Sequence, residues 1–361
     1  MTAYLLTGGG TAGHVNPLLS LADAIRADEP NAEIVALGTA EGLEANLVPA
    51  RGYQLETIER LPFPRKPSGY ALAFPFKFAR AVKQIRSLIK RDSIDVVVGF
   101  GGYASAPAYV AARFEKVPIV VHEANALPGI ANKLGSRIAT KIAVAFTGTG
   151  LPNEIVTGMP LRKEIEQLVT SSRKAEARNH FGLDPDSFTL LVTGGSLGAK
   201  KLNDVIEASR TKLQAAGIQV LHIVGGRSDL APESSKGYVR LTYCDRMDLA
   251  IASADFAVSR AGASTVAEFS AVGLPALYVP YAVGNGEQKH NLRGLLGAGG
   301  GVMVLDRDFT EAYVAADLIP LISSSKQLAA MAKAAKSVGI VDGTARLLSL
   351  VQSVLPKSDR A

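Results

Sequence analysis

Thr7-Gly8-Gly9-Gly10-Thr11-Ala12-Gly13-His14 follows an apolar run at the start of this 361-residue chain. A second glycine turn, Thr193-Gly194-Gly195-Ser196-Leu197-Gly198-Ala199-Lys200, lies halfway along it, and a third, Gly99-Phe100-Gly101-Gly102-Tyr103, follows another apolar run of the first half. Glycine lets backbone N–H groups approach an anion closely, because no Cβ intervenes, and a following helix adds its positive N-terminal end. These turns predict anion-binding sites at strand ends in both halves of the chain.

Apolar runs alternate with helical patterns throughout, which predicts parallel sheets with helices on both faces. The predicted strands are Tyr4–Thr7, Glu33–Leu37, Asp95–Gly99, Ile119–His122, Ile142–Phe146, Thr189–Thr193, Val220–Val224, Phe256–Ser259 and Ala276–Val279. Because the chain is too long for one typical core, we expect two Rossmann-like, doubly wound α/β domains that face a cleft. The expected domains are residues 1–160 and 161–340, with a hinge at Thr157–Arg162 and a helical tail over Ser337–Leu355.

Composition restricts the class of protein. A single cysteine, Cys244, allows no intramolecular disulfide. We expect no signal peptide, since the first residues lack a basic region, and no transmembrane helix, since no apolar run approaches the roughly 20 residues that a span needs. The net charge of +6 is consistent with nucleic acid, an anionic membrane surface or phosphorylated substrates as partners.

The region Pro62–Arg91 is basic and partly apolar. In a helical projection of Phe74–Arg91, apolar and basic side chains occupy opposite faces. The apolar set is Phe78, Val82, Ile85, Leu88 and Ile89, and the basic set is Lys77, Arg80, Lys83, Arg86 and Lys90. An ordinary helix packed on a sheet would show the same pattern, but the preceding apolar loop Tyr70–Phe76 favours a patch on an anionic membrane surface. Since aromatic and basic side chains do not interleave, we expect no nucleic acid.

Polar side chains follow several of the predicted strands. His14 closes the first turn near a helix start, whose positive end favours the neutral imidazole that a general base requires; helix capping is the alternative role. His122-Glu123-Ala124-Asn125 follows another strand and forms either a solvated loop or part of a site. Glu268 is predicted in the first turn of a helix, where it could accept two ribose hydroxyls or merely complement the helix dipole. Gln288 and Asn291, in the loop Gly284–Asn291, could bind sugar hydroxyls or cap a helix.

Two cofactor classes are disfavoured. Gly8, Gly10 and Gly13 match the dinucleotide pattern G-x-G-x-x-G, but the second strand ends at Leu37-Gly38-Thr39, without the acid that an NAD ribose needs. This argues against an NAD-dependent dehydrogenase. The sequence contains no H-E-x-x-H and no Cys/His metal spacing, so we expect no tightly bound cofactor, although a diffusible Mg²⁺ on a diphosphate stays open.

As a set, the motifs resemble the MurG family of bacterial UDP-N-acetylglucosamine transferases. The matching segments are Gly9–His14, Gly101–Tyr103, His122–Asn125, Thr157–Arg162, Gly194–Ala199 and Gly262–Glu268. The resemblance implies a hexosyltransferase of the two-domain GT-B type. It implies inverting transfer of GlcNAc from UDP-GlcNAc to the C4 hydroxyl of the MurNAc of lipid I, giving lipid II for peptidoglycan synthesis. It also implies a peripheral location on the cytoplasmic face of the bacterial plasma membrane.

The resemblance also implies roles for individual residues. His14 would be the general base, and the acceptor diphosphate would be bound by Gly10, Gly101, Gly102 and Tyr103. The donor would be bound by Thr11, Ala12, Gly13, Asn125, Arg162, Ser196, Cys244, Ala263, Ser264, Thr265, Val266, Ala267, Glu268 and Gln288. Residues 1–160, with a helix at about 341–361 that crosses back to them, would bind acceptor and membrane, and residues 161–340 would bind the donor.

The sequence departs from the family at Ala12, Leu197, Cys244 and the pair Gly286-Glu287, which makes the last loop the least secure match. Two further hypotheses stay open at this point. One is a non-catalytic protein that binds UDP-sugars or a membrane surface. The other is a different GT-B enzyme that acts on a small aglycone or on diacylglycerol.

Overall fold

The computed structural model describes residues 1–64, 66–281 and 286–355, and the chain divides into two compact units. Unit 1 comprises Met1–Arg162 together with the chain from Asp342 onward, and unit 2 comprises Lys163–Val341. Arg65, in the predicted membrane region, lies outside the described residues, as do Gly284 and Asn285 of the predicted sugar loop and the last six residues of the helix predicted at about 341–361.

The centre of unit 1 is a parallel sheet. Its strands are β1 (Ala3–Thr7), β2 (Glu33–Thr39), β3 (Gln54–Ile58), β4 (Val96–Gly99), β5 (Ile119–Glu123), β6 (Lys141–Val144) and β7 (Glu154–Val156). Over the described residues the sheet has seven strands in the order β3-β2-β1-β4-β5-β6-β7. Strands β1 and β4 are buried throughout, because helices cover both faces, and this explains their continuous apolar sequences.

The helices of unit 1 form apolar layers on both faces of this sheet. They are α1 (Ala12–Asp28), α2 (Glu44–Ala50), α3 (Gly69–Arg91), α4 (Ser105–Glu115) and α5 (Ile130–Gly135). One core cluster joins the sheet to Ile85 of α3 and Ala108 of α4. The other joins it to Leu18 and Leu21 of α1.

Unit 2 repeats this architecture. Its strands are β8 (Phe188–Thr193), β9 (Ile218–Ile223), β10 (Glu233–Ser235), β11 (Tyr238–Leu241), β12 (Phe256–Ser259), β13 (Ala276–Tyr278) and β14 (Gly301–Met303). In the described residues these seven strands have the order β10-β11-β9-β8-β12-β13-β14. Only the β10–β11 pair among them is antiparallel. The prediction of two Rossmann-like, doubly wound parallel sheets is confirmed.

The helices of unit 2 come before, between and after these strands in the chain. They are α6 (Lys163–Thr170), α7 (Lys174–His180), α8 (Lys200–Ala215), α9 (Met247–Ser253), α10 (Ala263–Val272), α11 (Glu287–Asn291), α12 (Arg293–Ala298), α13 (Glu311–Tyr313), α14 (Ile319–Ile322) and α15 (Ser325–Val338). A π-helical segment, Val314–Leu318, joins α13 to α14. Phe256 and Phe309 are fully buried in the core of this unit.

The predicted helical tail Ser337–Leu355 is wrong as a single element. Helix α15 ends at Val338, and a separate helix, α16 (Gly343–Gln352), follows and belongs to unit 1. A Cβ on Gly343 would lie 2.4 Å from the Met159 carbonyl oxygen, so the glycine lets α16 begin directly against this backbone. Further along α16, Leu347 and Val351 are completely buried in the core cluster that contains α1.

The predicted apolar loop Tyr70–Phe76 is also wrong, because these residues form the first turns of α3. Pro75 lies inside the helix, where proline normally removes a hydrogen bond and disfavours helix. Two features offset this cost. Ser68 caps the helix by accepting a hydrogen bond from Ala71 N at 3.2 Å, and the Phe74 ring packs against three other aromatic rings. These rings belong to Phe63, Tyr70 and Phe78, with centroids 5.5, 6.0 and 5.8 Å away.

The burial of α16 predicts that it stabilises unit 1. Because Leu347 is fully buried, Leu347→Ala should lower the free energy of unfolding by about 2–5 kcal/mol. The exposed Ser349 of the same helix is the control, and Ser349→Ala should change the free energy by no more than about 0.5 kcal/mol. Urea denaturation compares the two variants. Similar small effects from both would mean that α16 adds little to the core.

Candidate functional site

The first glycine turn connects β1 to α1 and holds His14. The His14 Nδ1 atom lies 3.0 Å from the Gly9 carbonyl oxygen and 3.4 Å from the Thr11 hydroxyl. A carbonyl oxygen only accepts hydrogen bonds, so Nδ1 carries the proton of the neutral imidazole. The other ring nitrogen, Nε2, then has a free electron pair. The half-buried His14 is therefore held in the tautomer that can take a proton through Nε2.

The Gly101-Gly102 turn after β4 lies directly against the first turn. The φ angles of Gly101 and Gly102 are +97° and +87°, which favour glycine. A Cβ on Gly102 would lie 2.6 Å from the Gly9 carbonyl oxygen, and one on Gly101 would lie 3.1 Å from His14 Nε2. Glycine at both positions is thus required for contact between the turns. The His14 electron pair consequently lies beside the turn that is predicted to bind the acceptor diphosphate.

A cation that sequence analysis missed lies at this turn. The Arg60 guanidinium stacks over the half-buried Tyr103 ring, 5.0 Å from its centroid. Arg60 is exposed, and no ion pair joins it to another described residue. It follows β3 and is distant from the turn in sequence, so no local motif indicates it. Its charge is nevertheless suitable for a phosphate bound near Tyr103.

A second residue that the sequence did not reveal, Glu44, is completely buried behind the first turn. It begins α2, where a carboxylate would ordinarily be expected on the surface. One of its oxygens accepts a hydrogen bond from Gly10 N at 2.8 Å. The amide hydrogen of Gly10 is therefore already bound, and the predicted contribution of Gly10 to acceptor binding stays a prediction.

His122 and Glu123 belong to strand β5 and are buried, so the solvated-loop alternative is wrong for them. Glu123 accepts hydrogen bonds from Asn125 N at 2.9 Å, Gly129 N at 3.0 Å and Asn132 Nδ2 at 2.9 Å. It thereby fixes the loop after β5. That loop carries the half-buried Asn125, which is the predicted GlcNAc contact.

The His122 side chain is neutral for a physical reason. Its Nε2 lies 3.2 Å from the Gly158 carbonyl oxygen, to which it donates. Burial lowers the pKa of His122 to about 4, since desolvation disfavours the charged form. His122 thus joins β5 to the segment Thr157–Arg162. Helix α16 contacts the same segment, because Thr344 Oγ1 donates to the Leu161 carbonyl at 3.2 Å. The predicted donor residue Arg162 ends this segment and is half-buried.

In unit 2, the second glycine turn connects β8 to α8. Its backbone is held by the loop after β9, since Gly226 N donates to the Ser196 carbonyl at 3.0 Å and Arg227 N to the Leu197 carbonyl at 3.3 Å. A Cβ on Gly198 would lie 2.2 Å from the Val224 carbonyl oxygen. The predicted phosphate contact Ser196 is exposed and precedes α8 in the chain, and the N-terminal end of a helix favours an anion.

Helix α10 carries six of the predicted donor residues, Ala263, Ser264, Thr265, Val266, Ala267 and Glu268. The prediction that Glu268 lies in the first turn is wrong. The helix begins at Ala263, so Glu268 is in its second turn, and the helix dipole, which acts within the first turn, gives no account of this carboxylate. Glu268 is half-buried. Its predicted role on the ribose hydroxyls stays a prediction.

The last predicted donor contacts surround the start of α10. The Gln288 side-chain oxygen accepts hydrogen bonds from Ala261 N at 3.2 Å and Tyr281 N at 2.8 Å, and Asn291 Nδ2 donates to the Ala261 carbonyl at 3.2 Å. The capping alternative is wrong for Gln288, because its side-chain oxygen binds two N–H groups that lie outside the helices and Gln288 itself lies within α11. Its Nε2 binds no described residue. Cys244 is buried in the loop between β11 and α9.

Among the described residues, no group of three acidic, histidine or cysteine side chains could hold a metal ion.

The exposed face of α3 is less basic than the sequence indicated. Its buried residues include the predicted Val82, Ile85, Leu88 and Ile89. Acidic partners engage four of its cations, in the pairs Lys77–Glu59, Arg86–Glu115, Lys90–Glu115 and Arg91–Glu56. Arg80 and Lys83 form no ion pair with described residues. Leu72 and Phe76, one helical turn apart, are 80% and 79% exposed.

No helix in the described part of the chain combines the length and apolar character that crossing a bilayer requires.

Two domain comparisons match this architecture. The model of the glycosyltransferase family 28 N-terminal domain matches residues 4–144, and that of the family's C-terminal domain matches residues 189–347. Two Rossmann-like sheets with glycine turns at strand ends, together with these matches, define a two-domain glycosyltransferase of the GT-B type.

Individual relatives narrow this class. A protein from Leifsonia xyli is 56% identical over 98% of this chain and 99% of its own length, and one from Streptomyces coelicolor is 46% identical over 97% and 98%. Both are named UDP-N-acetylglucosamine–N-acetylmuramyl-(pentapeptide) pyrophosphoryl-undecaprenol N-acetylglucosamine transferase. The crystal structure of Acinetobacter baumannii MurG is 25% identical, with a TM-score of 0.77 over 98% of this chain and 100% of that one. The chain belongs to the MurG family, and this membership argues against the dehydrogenase alternative.

The buried neutral His122 predicts acid sensitivity. Its folded-state pKa of about 4 lies below the unfolded value of about 6.5, so the unfolded state binds more protons between these values. Stability is therefore lost as pH falls from about 6.5 to 4, by about 2 kcal/mol between pH 7 and pH 5.

Urea denaturation at pH 7 and pH 5 measures this loss. His122→Gln keeps a nitrogen near the Gly158 carbonyl but cannot titrate, so its stability should depend less on pH than that of the wild type. The same pH dependence in both proteins would contradict the assignment to His122.

Proposed function

We propose that this chain transfers GlcNAc from UDP-GlcNAc to the muramyl sugar of lipid I, the undecaprenyl-diphosphate-linked muramyl pentapeptide, and so forms lipid II for peptidoglycan synthesis. The observation that carries the proposal is family membership over both units, with relatives of that name spanning almost the whole chain. The His14 geometry supports it, because Nδ1 is engaged by Gly9 and Nε2 is left as the proton acceptor.

The proposed reaction is a single displacement with inversion at the anomeric carbon. The C4 hydroxyl oxygen of the acceptor forms a bond to this carbon while the bond from the carbon to the UDP phosphate oxygen breaks. The hydroxyl proton passes to His14 Nε2, and UDP leaves with the electron pair of the broken bond. Positioned general-base catalysis of this kind is worth about 10²–10⁴ in rate. The charge that develops on UDP is stabilised by backbone dipoles at the second glycine turn and the start of α10.

We assign the acceptor diphosphate to residues of unit 1, and the donor to residues of both units. In unit 1, Gly101, Gly102 and Tyr103 bind the acceptor diphosphate, and Arg60 adds a positive charge there. In unit 2, Ser196, the α10 residues up to Glu268 and Gln288 bind the donor, and the Cys244 main chain contacts its uracil. Thr11, Ala12, Gly13, Asn125 and Arg162 of unit 1 complete the donor contacts. The reaction as proposed takes no tightly bound cofactor and leaves room for a diffusible Mg²⁺ on the donor diphosphate.

Transfer of labelled GlcNAc from UDP-GlcNAc to a lipid I analogue tests the proposal. The wild type should form the lipid II analogue, and His14→Ala should lower kcat by about 10²–10⁴, the usual contribution of a general base. His180→Ala, which changes an exposed histidine of unit 2, should not. UDP-GlcNAc should raise the melting temperature of all three proteins, and NAD should not.

The same assay separates the alternatives. A non-catalytic binding protein would show the UDP-GlcNAc thermal shift without transfer. A GT-B enzyme of other specificity would glycosylate diacylglycerol or a small aglycone but not lipid I. Near-complete activity of His14→Ala would remove His14 from the role of base.

We further propose that unit 1 binds the cytoplasmic face of the plasma membrane through α3. Leu72 and Phe76 are the apolar contacts, and Arg80 and Lys83 are the cations left for anionic headgroups. Each basic residue near such a surface contributes about 1 kcal/mol, which is a modest total, so the apolar pair supplies the larger part.

Sedimentation with vesicles that contain anionic lipid measures this binding. Replacing both Leu72 and Phe76 by Ser should weaken binding at least about tenfold, since each buried apolar side chain is worth about 1.5–3 kcal/mol. Leu197→Ser, at an exposed position of unit 2 (57% exposed), is the control and should bind like the wild type. Unchanged binding of the double variant would place the membrane contact elsewhere.

A further inference from the structure

Glu44 occupies a closely fitted polar site behind the first glycine turn. Its side chain is 0% exposed. Oε1 accepts hydrogen bonds from Thr39 N at 2.8 Å and Thr39 Oγ1 at 2.9 Å, and Oε2 accepts one from Gly10 N at 2.8 Å. These are charge-assisted bonds to a fixed acceptor, which are about twice as strong as neutral ones. A buried carboxylate with this set of donors is held in one position.

Three glycines make room for this carboxylate. A Cβ on Gly9 would lie 2.2 Å from Glu44 Oε1, one on Gly38 would lie 2.4 Å from Glu44 Cγ, and one on Gly42 would lie 2.0 Å from Glu44 Oε2. Any side chain at these positions would displace the carboxylate. The surrounding backbone is therefore shaped around Glu44 from three directions.

The hydrogen bonds of Glu44 and His14 meet at a single peptide group. The N–H that Glu44 binds belongs to Gly10, and the carbonyl that His14 Nδ1 binds belongs to Gly9. These two atoms are the opposite ends of the Gly9–Gly10 peptide bond, which is planar and rigid. An anion on the N–H polarises the carbonyl at the other end, since linked hydrogen bonds strengthen one another.

We propose that Glu44 is the positioning residue for the His14 base and acts through the Gly9–Gly10 peptide. It fixes the direction of the Gly9 carbonyl, which holds the proton on Nδ1 and leaves Nε2 to accept the proton of the substrate. It also favours the imidazolium that forms when Nε2 accepts that proton. In serine proteases an aspartate contacts its histidine directly for the same purpose; here a peptide group lies between them. The inference rests on the proposed function for its kinetic consequences, but not for the tautomer itself.

Glu44→Gln and Gly42→Ala test the proposal by independent routes. Glutamine keeps the size of the side chain but presents an NH₂ to one of the backbone donors, and alanine at position 42 displaces the carboxylate without altering it. Both variants should lower kcat by about 10- to 100-fold, which is less than the about 10²–10⁴ of a lost base, with the KM for UDP-GlcNAc unchanged. The acid limb of the pH–rate profile should move to lower pH, because the imidazolium is less favoured.

Nitrogen-15 NMR of histidine-labelled protein gives a readout that needs no activity. In the wild type, His14 should show an unprotonated Nε2, and in both variants the two tautomers should mix. Tyr4→Phe is the matched control, since it removes a partly buried side-chain hydrogen bond, to Glu29 at 3.0 Å, at the other end of β1. It should lower the melting temperature while leaving the tautomer and the pH profile unchanged.

The possible failures are distinguishable. A wild type that transfers no GlcNAc would refute the proposed function, and the NMR comparison would still decide the role of Glu44. Folded Glu44→Gln and Gly42→Ala proteins with the wild-type His14 tautomer and pH profile would overturn the inference. A loss of activity that merely follows melting temperature in all three variants, including Tyr4→Phe, would reduce Glu44 to a structural residue.

Discussion

The arrangement of unit 1 depends on one peptide group, that between Gly9 and Gly10. Its N–H donates to the buried Glu44 and its carbonyl accepts from His14. The Gly9 carbonyl oxygen is also the atom that a side chain on Gly102 would strike. The same peptide therefore determines the tautomer of the base, the position of the buried acid and the separation of two turns. A rotation of this peptide would disturb all three at once. A side chain on Gly9 would meet the Glu44 carboxylate, and one on Gly102 would meet the Gly9 carbonyl oxygen, so neither position accepts a side chain.

The two glycine turns share a sequence pattern but are stabilised by different chemistry. Behind the first lies a carboxylate, which binds one of the turn amides. The second is held by backbone groups, through Gly226 and Arg227, and by the Thr193 hydroxyl, which accepts from Gly195 N at 3.3 Å. Among the described residues, the backbone of the second turn is thus bound by neutral groups. The first turn is therefore better suited to hold a base, and the second to hold a phosphate.

The central part of each sheet could be predicted from sequence, and the margins could not. Phe256–Ser259 is found as predicted, because a strand covered on both faces must be apolar along its whole length. Edge strands have no such requirement. Strand β3 contains Gln54 and Glu56 and is exposed or half-buried for most of its length, and β10 consists of Glu233 and two serines. Their sequences resemble surface loops. The first turns of α3 were predicted as an apolar loop, and the aromatic contacts that stabilise them as helix are tertiary.

The candidate site was predictable where its residues lie in one turn and was missed where they come from separate elements. His14 and Gly101–Tyr103 were found from local glycine patterns, whereas Arg60 and Glu44 act on turns that are distant in sequence. For Glu44 a signal was nevertheless present. Gly38 and Gly42 both precede Glu44 within six residues, just after a buried strand, and each lacks the Cβ that would meet the Glu44 side chain. A carboxylate near such glycines can be enclosed by backbone and bound by its amides, whereas an ordinary surface glutamate has no need of them. Two glycines shortly before an acid can thus indicate a carboxylate enclosed by backbone.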